Sequence, residues 1–224
     1  MSEDLWTTVD RFIVDQLVSA DPHLDAALQA SAAAGLPAIS VSPNQGKLLM
    51  LLARVQGARA ILEIGTLGGY STIWLARALP DDGRLITLEA DPKHAEVATG
   101  NIARAGLADR VEVRVGRALE TLPLLAAEKR GPFDLVFIDA DKPSTPQYVE
   151  WAIKLSKRGS LIVIDNVVRD GAIIDANNSD ASIRAMRQVY EQLSREPRVT
   201  ATAIQTVGSK GYDGFAVALV TAEP

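Results

Sequence analysis

The chain contains no cysteine. Disulfides, thiolate zinc sites and a cysteine nucleophile are therefore excluded. Histidine is almost as scarce, with only His23 and His94. Both are expected to lie far from the acidic strand ends and read as surface-helix residues. A Ser-His-Asp device or a His-rich metal site does not fit that supply. Long apolar runs are also missing, and none approaches the roughly 18 residues that cross a bilayer. Positive charge is in deficit: 23 Lys and Arg stand against 28 Asp and Glu, for a net charge of -5 and a pI near 5.1. That balance argues against a nucleic-acid partner, which needs a basic face. Glu3 and Asp4 stand where a targeting signal carries basic residues. The expectation is a cytoplasmic protein with no membrane and no nucleic-acid partner. Repeats, linkers and low-complexity stretches are absent too, and 224 residues suit one domain with a full core.

What is present is an ordered alternation. Residues 5–34 read as two amphipathic helices broken at Asp21-Pro22, with Leu5, Val9, Phe12, Ile13 and Leu17 at helical spacing. Ser42 followed by Pro43 is a helix start, and that helix runs to about Gly57. Strands are then expected over 60–64, 84–89, 111–115, 133–138 and 159–165, with helices over 70–79, 92–105, 118–128 and 146–156 between them. Such spacing predicts βαβ units and a parallel sheet. A helix over 180–195 follows, with Asp180 as N-cap. Two closing strands, 198–206 and 214–221, flank a glycine-rich gap that suits an antiparallel pair. Segment 166–179 shows no clear period and reads as a substrate loop.

The strands end in chemistry. Ile61-Leu62 leads into Glu63, Gly65, Thr66, Gly68, Gly69 and Ser71. The run 133–138 ends in Asp139, Asp141 and Lys142, and Leu161–Ile164 ends in Asp165 and Asn166. In an open parallel sheet the strand C-termini face one crevice where ligands bind, so these ends describe one site.

The Gly65–Gly69 loop joins a strand to a helix, where glycines let a ligand approach the backbone and the helix offers free N–H groups. A dinucleotide fingerprint needs a glycine where this chain has Leu67, which would block the pyrophosphate. Glu89 ends the next strand, a little over roughly 20 residues on, where an acid grips ribose hydroxyls. A glycine turn alone is often only a turn, and Glu89 alone could be a solvated strand end. Together on consecutive strand ends they point to a nucleoside without a pyrophosphate, and S-adenosylmethionine is such a ligand. Ser71 either meets that ligand's carboxylate or is an ordinary helix-entry serine.

Asp139, Asp165 and Asn166 offer only oxygen. Two carboxylates and an amide suit a hard cation, Mg²⁺ first, with Ca²⁺ or Mn²⁺ as alternatives. The open positions would take two adjacent hydroxyls of an aromatic ring. A cation there stabilises a phenolate, which attacks a methyl group far better than a phenol. Lys142, three residues past Asp139, is the candidate proton acceptor. Asp141 either meets the donor's ammonium group or merely shields the site.

Taken in order, Ile61–Ser71, Glu89, Gly116-Arg117-Ala118, Asp139–Lys142 and Asp165-Asn166 resemble the cation-dependent O-methyltransferases, the family of catechol and caffeoyl-CoA O-methyltransferases, with the bacterial small-molecule branch most similar. The resemblance runs from about Val41 to the C-terminus. It implies a class I, Rossmann-like α/β fold: a seven-stranded sheet, mostly parallel, with a C-terminal antiparallel strand and helices on both faces. By position, Asp139, Asp165 and Asn166 match the metal ligands, Lys142 the general base and Glu89 the ribose contact. Glu63, Gly65, Thr66 and Ser71 match the loop around the methionine part, and Gly69 belongs to the same loop. Val41 matches a cofactor contact from the helix-entry loop, Ala118 a backbone contact to adenine, and Asp141 an amino-group contact. Residues 1–58 would then cover the site as N-terminal helices and 59–224 would form the nucleoside-binding core of a single domain, within a homodimer. After Lys142 the run Pro143–Tyr148 is longer than in the plant branch, and Val41 replaces its threonine; both bear on the acceptor rather than the donor.

The implied activity is methylation of a small aromatic hydroxyl. The alternatives are a methyltransferase of nucleic acid or protein on the same fold, a nicotinamide oxidoreductase, and a donor-binding module whose chemistry has decayed.

Overall fold

The computed structural model describes residues 3–223. The single domain read over 1–224 thus includes residues 1, 2 and 224, which lie outside the described residues. Three helices open the chain: α1 (Glu3–Leu17), α2 (Pro22–Ala33) and α3 (Pro43–Val55). Asp21 caps α2 by accepting the N–H groups of His23 and Leu24, and Ser42 caps α3 by accepting that of Gln45. Both helices carry proline in the first turn, where its missing N–H costs nothing.

Alternation follows as expected: β1 (Ala60–Ile64), α4 (Tyr70–Ala76), β2 (Arg84–Glu89), α5 (Pro92–Arg104), β3 (Val111–Val115), α6 (Ala118–Ala127), β4 (Phe133–Ile138), α7 (Thr145–Lys154) and β5 (Ser156–Asp165). Then come α8 (Ala181–Arg195), β6 (Val199–Gly208) and β7 (Gly211–Val220). The seven strands lie in the order β3-β2-β1-β4-β5-β7-β6. β1 to β5 pair in parallel, and β7 runs antiparallel to both its neighbours. This is the class I methyltransferase arrangement expected from the sequence.

Successive strand residues point to opposite faces, and this sorts the core into two layers. Leu62, Ile64, Val136, Ile138, Ile162 and Ile164 pack under α6, α7 and α8. Ile61, Leu85, Leu135, Phe137 and Val163 pack under α2 to α5. The central strands are buried on both faces, which is why they read as continuous apolar runs.

Some boundaries differ. β5 begins at Ser156 rather than 159, because its early residues pair past an irregularity between Phe133 and Leu135. The last two strands extend through the glycine-rich gap, leaving Gly208 paired with Gly211 across a two-residue turn. Gly214, the expected first residue of the second closing strand, lies inside β7. A Cβ there would meet the Ile204 carbonyl oxygen at 2.3 Å, so this glycine marks a close backbone approach. Segment 166–179 is a loop, as expected, with one 3-10 turn at Ala172–Ile174.

Candidate active site

The strand C-termini open on a cleft of about 800 Å³, within the roughly 300–1,000 Å³ of small-molecule sites. Register explains what meets there. Ile64 pairs with Leu88 and with Ile138, and Ile138 pairs with Ile164. The residues following those pairs, Gly65, Glu89, Asp139 and Asp165, therefore emerge side by side at one sheet edge. Adjacent strands lie about 4.8 Å apart, so Asp139 and Asp165 are neighbours.

Of the residues singled out in the sequence, Val41, Gly65, Thr66, Ser71, Glu89, Ala118, Asp139, Asp141, Lys142, Asp165 and Asn166 line this cleft. Glu63 and Gly69 do not, contrary to expectation. Glu63 shares the face of β1 that holds Ile61, so it points under α4 and is fully buried. Its carboxyl accepts hydroxyls from Ser71 (2.6 Å), Thr87 (2.7 Å) and Thr72. Burial pushes its pKa up to about 7 against the lowering effect of those hydroxyls. Gly69 is the N-cap of α4 at φ 80°, packed against Ala98, and does structural work. Ser71 faces the cleft while its O–H is given to Glu63.

Gly65 needs its hydrogen for a reason internal to the protein. At φ 99°, a Cβ would sit 2.0 Å from the Asp139 carbonyl oxygen. The loop beyond it is clamped by Glu89, whose Oε2 accepts the N–H groups of Thr66 (3.2 Å) and Leu67 (2.8 Å). Oε1 accepts that of Asp91 (3.0 Å). Oε2 is thereby filled, while Oε1 keeps a second lone pair.

At the other end, Lys142 Nζ donates to Asp139 Oδ1 at 2.7 Å, with both side chains largely buried. Asp165 accepts the Asn166 N–H on Oδ1 (2.8 Å) and the Gln45 amide on Oδ2 (2.7 Å). Burial, with the negative charge of Asp139 next to it, raises its pKa to about 7. Asn166 sits in the left-handed region at φ 58°, which asparagine tolerates. For Asp141, burial alone would raise the pKa, but hydrogen bonds from Ser144 and Tyr148 outweigh it and hold the carboxyl below the usual range.

Sequence reasoning missed several lining residues. Gln45 comes from α3, far along the chain. His94, read as remote from the acids, lines the cleft with Nδ1 3.6 Å from Glu89 Oε1. Its helix starts immediately after the strand end and turns the residue back; the Asp91-Pro92 helix start was the available signal. His23 is exposed on α2, as expected. Arg169, Lys210 and Asp213 carry no motif that would have placed them there.

Among the described residues, no group of three His, Cys, Asp or Glu side chains is gathered for a metal. The oxygen set reaches three only by adding the Asn166 amide. Its chemistry still fits a hard cation: two adjacent acids, one of them buried and raised, are left short of positive charge by a single lysine.

A cleft at the carboxyl ends of this sheet order, lined by a glycine loop and paired acids, is the class I methyltransferase arrangement. The O-methyltransferase family model matches residues 16–217, and the chain belongs to that family. A protein named catechol O-methyltransferase from Mycobacterium tuberculosis is 59% identical over 212 residues, covering 95% of this chain and 94% of its own length. A solved O-methyltransferase from Bacillus cereus, in complex with SAH, superposes with a TM-score of 0.97 at 57% identity, covering 98% of this chain and all of that one. The O-methyltransferase TomG from Streptomyces achromogenes, involved in tomaymycin synthesis and solved with SAM, gives 0.96 at 52% identity over 99% and 100% of the two chains. Among the described residues no helix is long and apolar enough to cross a membrane.

Proposed function

We propose that this O-methyltransferase takes its methyl group from S-adenosylmethionine and delivers it to one of two adjacent hydroxyls on a small aromatic ring, with a divalent cation as cofactor. The observation that carries the reading is the Ile138–Ile164 register, which sets Asp139 beside Asp165 with Lys142 2.7 Å away. The donor's nucleoside would lie toward Glu89 and Ala118, and its methionine part toward Gly65, Thr66 and Ser71. SAM and SAH in two similar structures support that donor. Val41 and Asp141 line the same cleft and would complete the contacts.

Asp139, Asp165 and Asn166 would hold the cation, Mg²⁺ above Ca²⁺ or Mn²⁺ on ligand hardness. When bound it supplies positive charge that stabilises a phenolate and orients the neighbouring hydroxyl. Lys142 Nζ would act as the free amine, the form that a cation bound beside it favours, taking the proton of the reacting hydroxyl, and Asp139 Oδ1 would hold the resulting ammonium. The ring oxygen forms its bond to the methyl carbon as the C–S bond breaks, and that electron pair stays on sulfur. The buried cleft walls hold both reactants at near-attack distance, from which much of the rate would come.

The exposed apolar side chains Leu5, Val9, Phe12 and Leu17 on α1 support a homodimer built through the N-terminal helices. Net acidity supports a small-molecule acceptor over nucleic acid and suits a cytoplasmic setting. The test is a panel of labelled donor with catechols and matching monophenols, read by mass spectrometry. Methylated catechols with little monophenol product are expected. Equal methylation of both would remove the paired-hydroxyl reading.

A further inference from the structure

Beyond Asp165 and Asn166 the cleft is walled by residues that the methyl transfer above leaves unused. After β5 the chain turns through Asn166 (φ 58°), Arg169 (φ 53°), Asp170 (φ 54°) and Gly171 (φ 81°). Left-handed backbone is strained at a non-glycine residue and persists only where the surroundings over-determine it. Here Asp213 of β7 does so. Its Oδ1 accepts the N–H groups of Val168 (3.0 Å), Arg169 (2.9 Å) and Gly214 (2.9 Å). Tyr190 of α8 adds a hydrogen bond to the Val167 carbonyl at 3.2 Å.

The product of this bracing is a guanidinium on the cleft wall with unused donors. Arg169 lines the cleft with its side chain 36% exposed. Its Nε is buried without a hydrogen-bond partner. One terminal nitrogen stands 3.9 Å from Asp213 Oδ2, beyond hydrogen-bond reach. By contrast Arg114 forks onto Glu128 at 2.9 and 2.6 Å, and Arg198 onto Glu196 at 2.7 and 2.8 Å. Lys210 adds a second cation to the same wall, with Nζ on the Ala38 carbonyl at 3.2 Å. The acids on the wall are Asp170 and Asp213, with Asp180 also within reach of the Arg169 charge, and Asp213 has committed one oxygen to three N–H groups.

We propose that Arg169 is a specificity residue that binds a carboxylate carried on the ring of the acceptor, so that the preferred class is aromatic diol acids rather than neutral or ammonium-bearing diols. A planar fork of donors matches a carboxylate in two parallel bonds, which a point charge does not. The proposal rests on the reading of the cleft as a diol methyltransferase site and narrows it.

The experiment compares protocatechuate, its methyl ester and dopamine as acceptors for the intact protein with donor and Mg²⁺. The ester keeps the ring and both hydroxyls while losing the charge. Wild-type kcat/KM should favour the acid over the ester by about 10-fold or more, the scale of a hydrogen bond to a charged group. Arg169→Met should collapse that ratio toward one, and Arg169→Lys should restore part of it. An unchanged ratio in Arg169→Met overturns the proposal. So does a wild-type preference for dopamine, which would assign the wall to Asp170 and Asp213. Calorimetric binding of acid and ester, in the presence of SAH and Mg²⁺, reads the same ratio without turnover. Tight acid binding with no methylation of any diol would uphold the carboxylate site and sink the diol reading instead.

Discussion

Gln45 Nε2 donates to Asp165 Oδ2 at 2.7 Å, tying α3 to the end of β5 across 120 residues of chain. Asp165 Oδ1 is held by the Asn166 N–H. With one bond on each oxygen the carboxylate plane is fixed, and one lone pair on each oxygen stays free. A carboxylate held this way would be pre-oriented for the proposed cation shared with Asp139. Removing such an outer hydrogen bond typically weakens metal affinity by roughly 10- to 100-fold. Gln45→Leu should therefore bind Mg²⁺ more weakly by that order in a calorimetric titration. Unaltered affinity would show that Gln45 only packs.

Lys142 makes a different prediction. As the proposed proton acceptor it should matter to turnover and not to the cation. Lys142→Met should lower kcat by about 100- to 10,000-fold, the range of positioned acid–base groups. Mg²⁺ titration of the same variant should show affinity no weaker than wild type, since an ammonium beside Asp139 competes with a cation. A parallel loss of both would make Lys142 a structural ion-pair partner.

The acids in the site were legible because strand ends converge in a parallel sheet, and the alternation that builds the sheet is written in apolar runs such as 133–138. Asp139 and Asp165 follow from that logic alone. Glu63 was misplaced because the face of β1 it occupies depends on how the strand's two sides are divided between helix layers, and every residue of β1 is buried. A period-2 pattern that is apolar on both faces carries no such label. Gln45 was unreadable for another reason: it reaches the cleft from α3 through packing between distant segments. His94 and Arg169 follow closely on the strand-end acids Glu89 and Asp165, but only the local turn of the chain decides that they face the cleft.

Glu63 gives a pH prediction. Its folded pKa, about 7, lies above the ordinary 4.5 because burial disfavours the charged form. The stability this gives the neutral carboxyl is fully present below pH 4.5 and lost as pH rises through about 7. A shift of that size corresponds to about 3 kcal/mol. Asp165 shifts in the same direction, so the contribution of Glu63 is isolated by a variant. Urea unfolding of wild type should show stability falling between pH 5 and 8, and Glu63→Gln should remove much of that fall. A Glu63→Gln profile parallel to wild type would mean the buried carboxyl does not titrate there.

Two glycines separate crowding from backbone preference. Gly65→Ala places a methyl 2.0 Å from the Asp139 carbonyl oxygen at φ 99°, whereas Gly57→Ala at φ 64° meets nothing within 4 Å. The second should cost about 1–2 kcal/mol, the price of left-handed backbone. Gly65→Ala should cost on the order of 3 kcal/mol or more, since overpacking adds to strain. Equal losses in denaturant unfolding would refute the role given to the Asp139 carbonyl.

The most direct test of the account is a Mg²⁺ titration of the purified protein by calorimetry, repeated for Asp139→Ala and Asp165→Ala, with methyl transfer to a catechol followed in excess EDTA. The account predicts one bound ion per wild-type chain, none in either variant, and methyl transfer lost in the chelator and restored by added Mg²⁺. Undiminished transfer in EDTA, or a wild-type protein that binds no ion, would contradict it.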